Sequence, residues 1–314
     1  MCRLNRCFLT FVTFSFTLSS TFSLFIGGIF QRPQKDLHQV KHSRDWKGAK
    51  KALRDSNCCV VSILGLEKHL CVLQEYFADN GPADLDLRIK VNVRSSIVHD
   101  CISIRQSVTP FPLDQNNNNI SDNDEASILE HDPCTKALVE LAKGVASLAD
   151  GPLENNCEGV FLRIVCASDY KAIDPMYHTD KAPLRGYVTL RGVGTEFMTR
   201  VCTPLEYIQL RSLGSGIPTK DVRQAQELEF IVMKGDYYIE DKDLSLQKSL
   251  MKNLWTRSNA CVHRSPSAAM EGSRRRVIIS LDLADGEDGR EWYQTNTKRE
   301  WRAGMTQRKS KLVA

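Results

Sequence analysis

The sequence has no CxxC pair, no glycine-rich phosphate loop, no GxSxG elbow, no HExxH and no internal repeat. These absences exclude the function classes those short motifs signal: zinc ribbons, P-loop nucleotide binding, elbow-type hydrolases, HExxH metalloproteases and repeat arrays. Excess charge is also scarce. Lys and Arg number 42 against 38 Asp and Glu, a net charge of +4 and a sequence pI of about 8.4. That bias is too weak to indicate nucleic acid, and no base- or peptide-reading motif stands out. Acids are missing altogether before Asp36. Cysteine is plentiful, but its count of eleven is odd, and Cys58 and Cys59 are adjacent, a geometry that rarely forms a bridge. Mostly reduced, partly buried thiols are expected rather than a disulfide scaffold.

What is present suits a soluble globular chain. Its 314 residues are 42% hydrophobic and 25% charged, enough for one large domain or two small ones. Residues 1–34 stand apart: Arg3 and Arg6 precede a Phe/Leu/Ser/Thr run, as in a targeting or signal-anchor segment. That start implies an organelle or membrane association, with possible membrane contact through this segment; without it the expected location is cytoplasmic. Residues 35–150 read as a helical and mixed region. A short helical pattern spans Trp46–Leu53, and Asn57–Leu64 is a strand-like run. Leu66, Leu70, Leu73 and Phe77 mark an amphipathic helix stopped at Asn80-Gly81, and Leu85–Val93 alternates as a strand. A disordered insert is expected near 109–130, carrying the glycosylation acceptor Asn119-Ile120-Ser121. Cys134–Gly151 is again helical, and the main boundary is placed near residue 150.

From Gly159 the texture changes to strands separated by Gly and Pro turns: Gly159–Ser168, Arg185–Gly192, Leu228–Ile239 and Arg275–Leu283. Leu244–Trp255 interrupts them as a predicted helix. The pattern predicts an α+β protein whose residues 151–290 form an antiparallel sandwich or jelly roll. Residues 291–314 form a basic tail, expected to be solvated and mobile.

His178 and Asp180 are two apart just before a strand-like stretch. In extended chain, residues i and i+2 share a face, so an imidazole and a carboxylate can converge on one ion. A solvated Asp beside a surface or core His fits the same pattern. His263 lies 85 residues further on, before another strand. Two histidines and one carboxylate form the facial set of non-haem Fe(II) oxygenases, which leaves open positions for co-substrate and oxygen. Arg274, Arg275 and Arg276 follow. One of them facing inward could hold a dicarboxylate through a two-point fork; solvated edge charges would look the same in sequence. Glu196 is a polar candidate for the substrate side, or a surface carboxylate paired with an arginine. Cys261, two before His263, either lines the site or is a small buried hydrophobe. His38, His42, His69, His99 and His131 have no partner at ligand spacing.

The stretches "FLRIVCASDYKAIDPMYHTDKAPLRGYVTLRGVGTEF", "IVMKGDYY", "VHRSP" and "RRVIISLDL" together resemble the domain-of-unknown-function 1826 family over roughly residues 159–284. That family is similar to Fe(II)/2-oxoglutarate-dependent dioxygenases. The resemblance implies a double-stranded β-helix (jelly-roll, cupin-like) core with flanking N-terminal helices, with Fe(II) and 2-oxoglutarate as cofactors. It implies His178, Asp180 and His263 as catalytic iron ligands and Arg276, with Arg274 in reserve, as the 2-oxoglutarate clamp. Val193 stands where the family usually has Pro between two glycines, which alters that loop and no ligand. The alternative is a cupin-like module that binds metal without turnover; zinc hydrolysis with the same ligands ranks behind it. The substrate is unknown.

Overall fold

The computed structural model describes residues 40–108, 129, 131–150, 157–168, 176–180, 182–213, 221–235, 260–266 and 275–284. All belong to the second of two compact units, Met1–Leu37 and His38–Ala314. The predicted targeting segment, the Asn-rich insert with its acceptor Asn119, the helix Leu244–Trp255, Arg274 and the basic tail lie outside the described residues.

The protein is α+β. Seven strands form one sheet in the order β1-β2-β8-β5-β10-β4-β3. They are β1 (Lys41–Ser43), β2 (Val60–Ile63), β3 (Leu85–Asn92), β4 (Gly159–Ala167), β5 (Leu184–Arg191), β8 (Phe230–Lys234) and β10 (Arg276–Ala284). All neighbours pair antiparallel except β1 with β2. A smaller antiparallel sheet has the order β7-β6-β9, from β6 (Glu196–Met198), β7 (Val222–Gln224) and β9 (His263–Arg264).

The large sheet is amphipathic in the way period-2 side-chain alternation requires. Val277, Ile279, Leu281 and Leu283 of β10 join Leu162 and Ile164 of β4 in a core built with the helices. Those helices are α1 (Trp46–Leu53), α2 (Glu67–Leu73), α3 (Ile97–Val108) and α4 (Pro133–Ser147). A fifth helix, α5 (Pro204–Leu213), follows the small sheet's first strand, β6. Each aliphatic side chain buried in this way contributes about 1.5–3 kcal/mol. Elements from both sides of residue 150 share this core, and β3 pairs along β4 from Leu85↔Cys166 to Asn92↔Gly159.

The opposite face of the large sheet meets the small one. Val60, Val165, Tyr187, Ile231, Met233 and Ile278 from the large sheet pack with Phe197 of β6, and with Ala225 and Cys261 beside the small strands. Two helix starts carry side-chain caps. Asp132 accepts from the backbone N–H of Cys134 and Thr135 ahead of Pro133 in α4, and Asp45 accepts from Gly48 N–H in α1; such caps are worth about 1 kcal/mol.

The helix predicted over Leu66–Phe77 narrows to α2 and then widens into a π-helical turn, Gln74–Asp79, closed by Asn80 N–H on the Glu75 carbonyl. That extra residue per turn still buries Phe77 completely. Among the described residues no helix is long and apolar enough to cross a membrane.

Candidate metal centre

His178 does not sit within a strand. Its backbone forms an isolated antiparallel bridge with His263 at the start of β9, with His178 N–H donating to the His263 carbonyl and His263 N–H to the His178 carbonyl, both at 2.9 Å. The bridge is the local device that brings together residues 85 positions apart. The extended chain after it carries Asp180 onto the same side, and the two imidazole rings lie 4.5 Å apart at a tilt of 55°. One potential ligand atom from each of His178, Asp180 and His263 lies within 4.8 Å of the others. Asp180 and His263 are buried, at 9% and 5% exposure.

Hydrogen bonds fix which ring nitrogen is available. His178 Nδ1 lies 2.9 Å from the Met176 carbonyl, and His263 Nδ1 lies 3.1 Å from the Cys261 carbonyl. A carbonyl only accepts, so each Nδ1 carries a proton and each Nε2 is the nitrogen left to face an ion. Burial pushes the His263 imidazole down to about 4, against the pull of Asp180, so the ring is neutral. Burial alone would raise the Asp180 carboxyl, but the opposing positive field, Arg185 first, holds it below the usual range.

The consequence is a test of whether a cation fits. Asp180 Oδ2 is buried and accepts no hydrogen bond, and it faces His263 Nε2 at 3.3 Å. With the ring proton on Nδ1, two lone pairs point at one another across that gap. A buried acceptor left this way is costly, and a cation between the atoms removes the cost. Imidazole and carboxylate donors about 2.1 Å from an ion and near right angles to each other lie about 3 Å apart. The residues present therefore fit a divalent ion.

Arg276 opens β10 on the same face as Ile278, and is 3% exposed. Its Nη2 donates to the Tyr187 hydroxyl at 2.7 Å and to Thr195 Oγ1 at 3.3 Å, reaching from the large sheet toward the small one. Arg275 alternates outward and donates to the carbonyls of Phe77, Gly81 and Pro82 at the end of the π-helical turn. Glu196 takes a 2.7 Å bond from Arg264, which also stacks 4.5 Å over the Tyr177 ring. Cys261 is fully buried beside Phe197 and Met233, its thiol raised well above its usual range by its contact with Cys59 and by burial. The described cysteines are free thiols.

Sequence reasoning passed over two residues at this centre, Arg185 and Asp282. Arg185 Nη1 donates to Asp180 Oδ1 at 2.6 Å, while its Nε and Nη2 fork onto Asp282 Oδ1 and Oδ2 at 2.6 and 2.8 Å. Burial raises the Asp282 carboxyl despite that fork. The two face each other directly in the β5–β10 register. The available signal was the alternation of β10, which puts Asp282 on the same face as Arg276 and Ser280, opposite Val277, Ile279, Leu281 and Leu283.

An α+β scaffold with a partly buried two-histidine, one-carboxylate cluster that could hold a metal ion is the class that fold and site define. Residues 99–282, more than half of the chain, match the family described as protein of unknown function (DUF1826), and the chain belongs to that family. Among curated proteins none matches. Solved structures similar to the chain include the dioxygenase for auxin oxidation 1 from Arabidopsis thaliana in complex with 2-oxoglutarate, at 12% identity and TM-score 0.41, covering 80% of this chain and 94% of that one. The dioxygenase for auxin oxidation of rice is 12% identical at TM-score 0.42, covering 80% and 84%. A full-length Neurospora crassa protein in complex with alpha-KG and 5-formyluracil is 12% identical at TM-score 0.34, covering 76% and 78%. At these scores the likeness carries no weight beside the geometry of the three side chains.

Proposed function

We propose that the chain is an Fe(II)- and 2-oxoglutarate-dependent oxygenase that hydroxylates a substrate C–H bond, built on a double-stranded β-helix. The observation that carries the reading is the pair of facing lone pairs, Asp180 Oδ2 and His263 Nε2 at 3.3 Å, with both ring Nδ1 atoms committed to carbonyls. Two sheets packed face to face around Phe197, Tyr187 and Ile278 support the jelly-roll description.

In this reading His178 Nε2, Asp180 Oδ2 and His263 Nε2 hold the ion from one side, which leaves its other side to co-substrate and oxygen. When bound, Fe(II) with 2-oxoglutarate supplies oxygen activation coupled to decarboxylation of the keto acid to succinate. The chain's own part is to bind and to exclude water. Arg276 offers a buried guanidinium, oriented by Tyr187 and Thr195, to the far carboxylate of the keto acid. Ile278, Phe197 and Met233 keep the neighbouring space apolar. Glu196, engaged by Arg264, is a poor general base, which argues against hydrolysis at the same ligands.

The test is oxygen-dependent release of succinate from the purified full chain supplied with Fe(II) and 2-oxoglutarate. His178→Ala should abolish it. Tight metal binding without affinity for 2-oxoglutarate would instead mark a non-catalytic cupin-like module.

A further inference from the structure

We propose that Arg185 and Asp282 are positioning residues that make Asp180 a one-oxygen ligand. The inference rests on the metal-site reading above and deepens it.

A carboxylate turns easily about its last torsion, which is broad and two-fold. Left alone, Asp180 could present either oxygen, or chelate an ion with both. Here Oδ1 is taken by Arg185 Nη1 at 2.6 Å, and only Oδ2 is bare and aimed at His263. The guanidinium that takes it is itself held. It is planar and rigid, and two of its nitrogens fork onto Asp282. Asp282 stands on β10, which is hydrogen-bonded on both sides, to β4 and β5. Orientation therefore passes from a central strand, through Asp282 and Arg185, to the metal-facing oxygen. A carboxylate limited to one donor atom occupies one coordination position instead of two, and keeps the second open.

Asp282 thereby influences the ion site without touching the ion.

The experiment uses the full chain and Co(II), a divalent probe whose visible absorption reports its coordination number. Affinity and spectrum are measured for the natural chain, Asp282→Asn, the double variant Arg185→Met/Asp282→Leu, and His178→Ala, with thermal melts in parallel. The double variant removes the Arg185–Asp282 fork as a pair but leaves Asp180 without its guanidinium partner, so the melts are run with and without Co(II) to separate loss of fold from loss of binding. Asp282→Asn should weaken Co(II) binding about 10–100-fold, the usual range for groups behind a ligand. The double variant should weaken it similarly and change the absorption band as Asp180 is released. A purely structural role for the pair predicts natural affinity and spectrum in the folded double variant, and that result overturns the inference while the loss of binding in His178→Ala leaves the metal site standing. Natural Co(II) binding in His178→Ala would overturn the metal-site reading itself.

Discussion

Gly235 offers a way to move one ligand of the centre without touching any of the three. It follows β8 at a point where the chain carrying Asp180 crosses closely: its N–H donates to the Pro183 carbonyl at 2.9 Å. A Cβ at position 235 would lie 2.7 Å from the Asp180 carbonyl oxygen, and nearer still to that of Ala182. Ordinary carbon–oxygen contacts begin at about 3.3 Å. Gly235→Ala therefore forces the Asp180 and Ala182 carbonyls away by more than about 0.5 Å, whereas metal–ligand distances tolerate about 0.2 Å. The strain should cost about 1–3 kcal/mol of stability, and Co(II) affinity should fall at least tenfold. At a Co(II) concentration 100 times the natural Kd, bound metal stabilises the natural chain by about 2.7 kcal/mol, and a tenfold weaker site leaves about 1.4 kcal/mol. Urea denaturation with and without Co(II) measures both quantities. Gly144→Ala is the control, because a Cβ there meets the Trp46 ring, with Cδ2 at 2.6 Å, in the core on the other side of the sheet. If Gly235→Ala loses stability yet keeps the full metal increment, as Gly144→Ala should, the reasoning is refuted.

Three further outcomes are expected. Arg276→Met should weaken 2-oxoglutarate binding to the Co(II)-loaded chain by about thirtyfold or more, the loss of at least about 2 kcal/mol that follows removal of a buried charge partner, with Co(II) affinity itself unchanged; calorimetric titration reads both. Gly144→Ala should destabilise by about 1–3 kcal/mol despite alanine's better helix propensity, and Trp46→Leu in the same chain should recover part of the loss in a denaturation series. Asp86, which takes a fork from Arg163 at 3.0 and 3.1 Å and longer bonds from Arg88, is held below the ordinary carboxylate range by those arginines against the effect of burial. The unfolded chain thus binds its proton first as pH falls. The stability that Asp86 contributes should be full above about pH 4, near the ordinary Asp value, and be lost as pH drops further, so that Asp86→Asn and the natural chain converge only in acid.

The parts of this molecule legible in sequence are those where one strong period acts alone. β10 is readable because Val277, Ile279, Leu281 and Leu283 alternate with Arg276, Ile278, Ser280 and Asp282, and in the structure the strand expected over Arg275–Leu283 runs one residue later, Arg276–Ala284. His178, Asp180 and His263 stand out by residue type and spacing, and they do converge. The small sheet is invisible in sequence, since strands of two or three residues show no period. α3 escapes notice for a different reason. Ile97, Val98, Ile102, Ile104 and Val108 are β-branched and favour strands, whereas its start is held by Asp100, which accepts from Asn92 N–H and Ser96 Oγ. The Arg185–Asp282 fork depends on register between residues 97 positions apart, which no local pattern contains.

β10 has two incompatible sides, and that has a bearing on quality control during folding. Sliding it by a single residue against β4 or β5 would carry Arg276, Ser280 and Asp282 into the layer of Leu138 and Val145, and aliphatics into the place of the ionic fork. Neither layer tolerates the exchange, since a charge buried without partners is far more expensive than a lost methyl contact. Closure of the Arg185–Asp282 fork and correct threading of the strand therefore arrive in one step, and the same residues certify both.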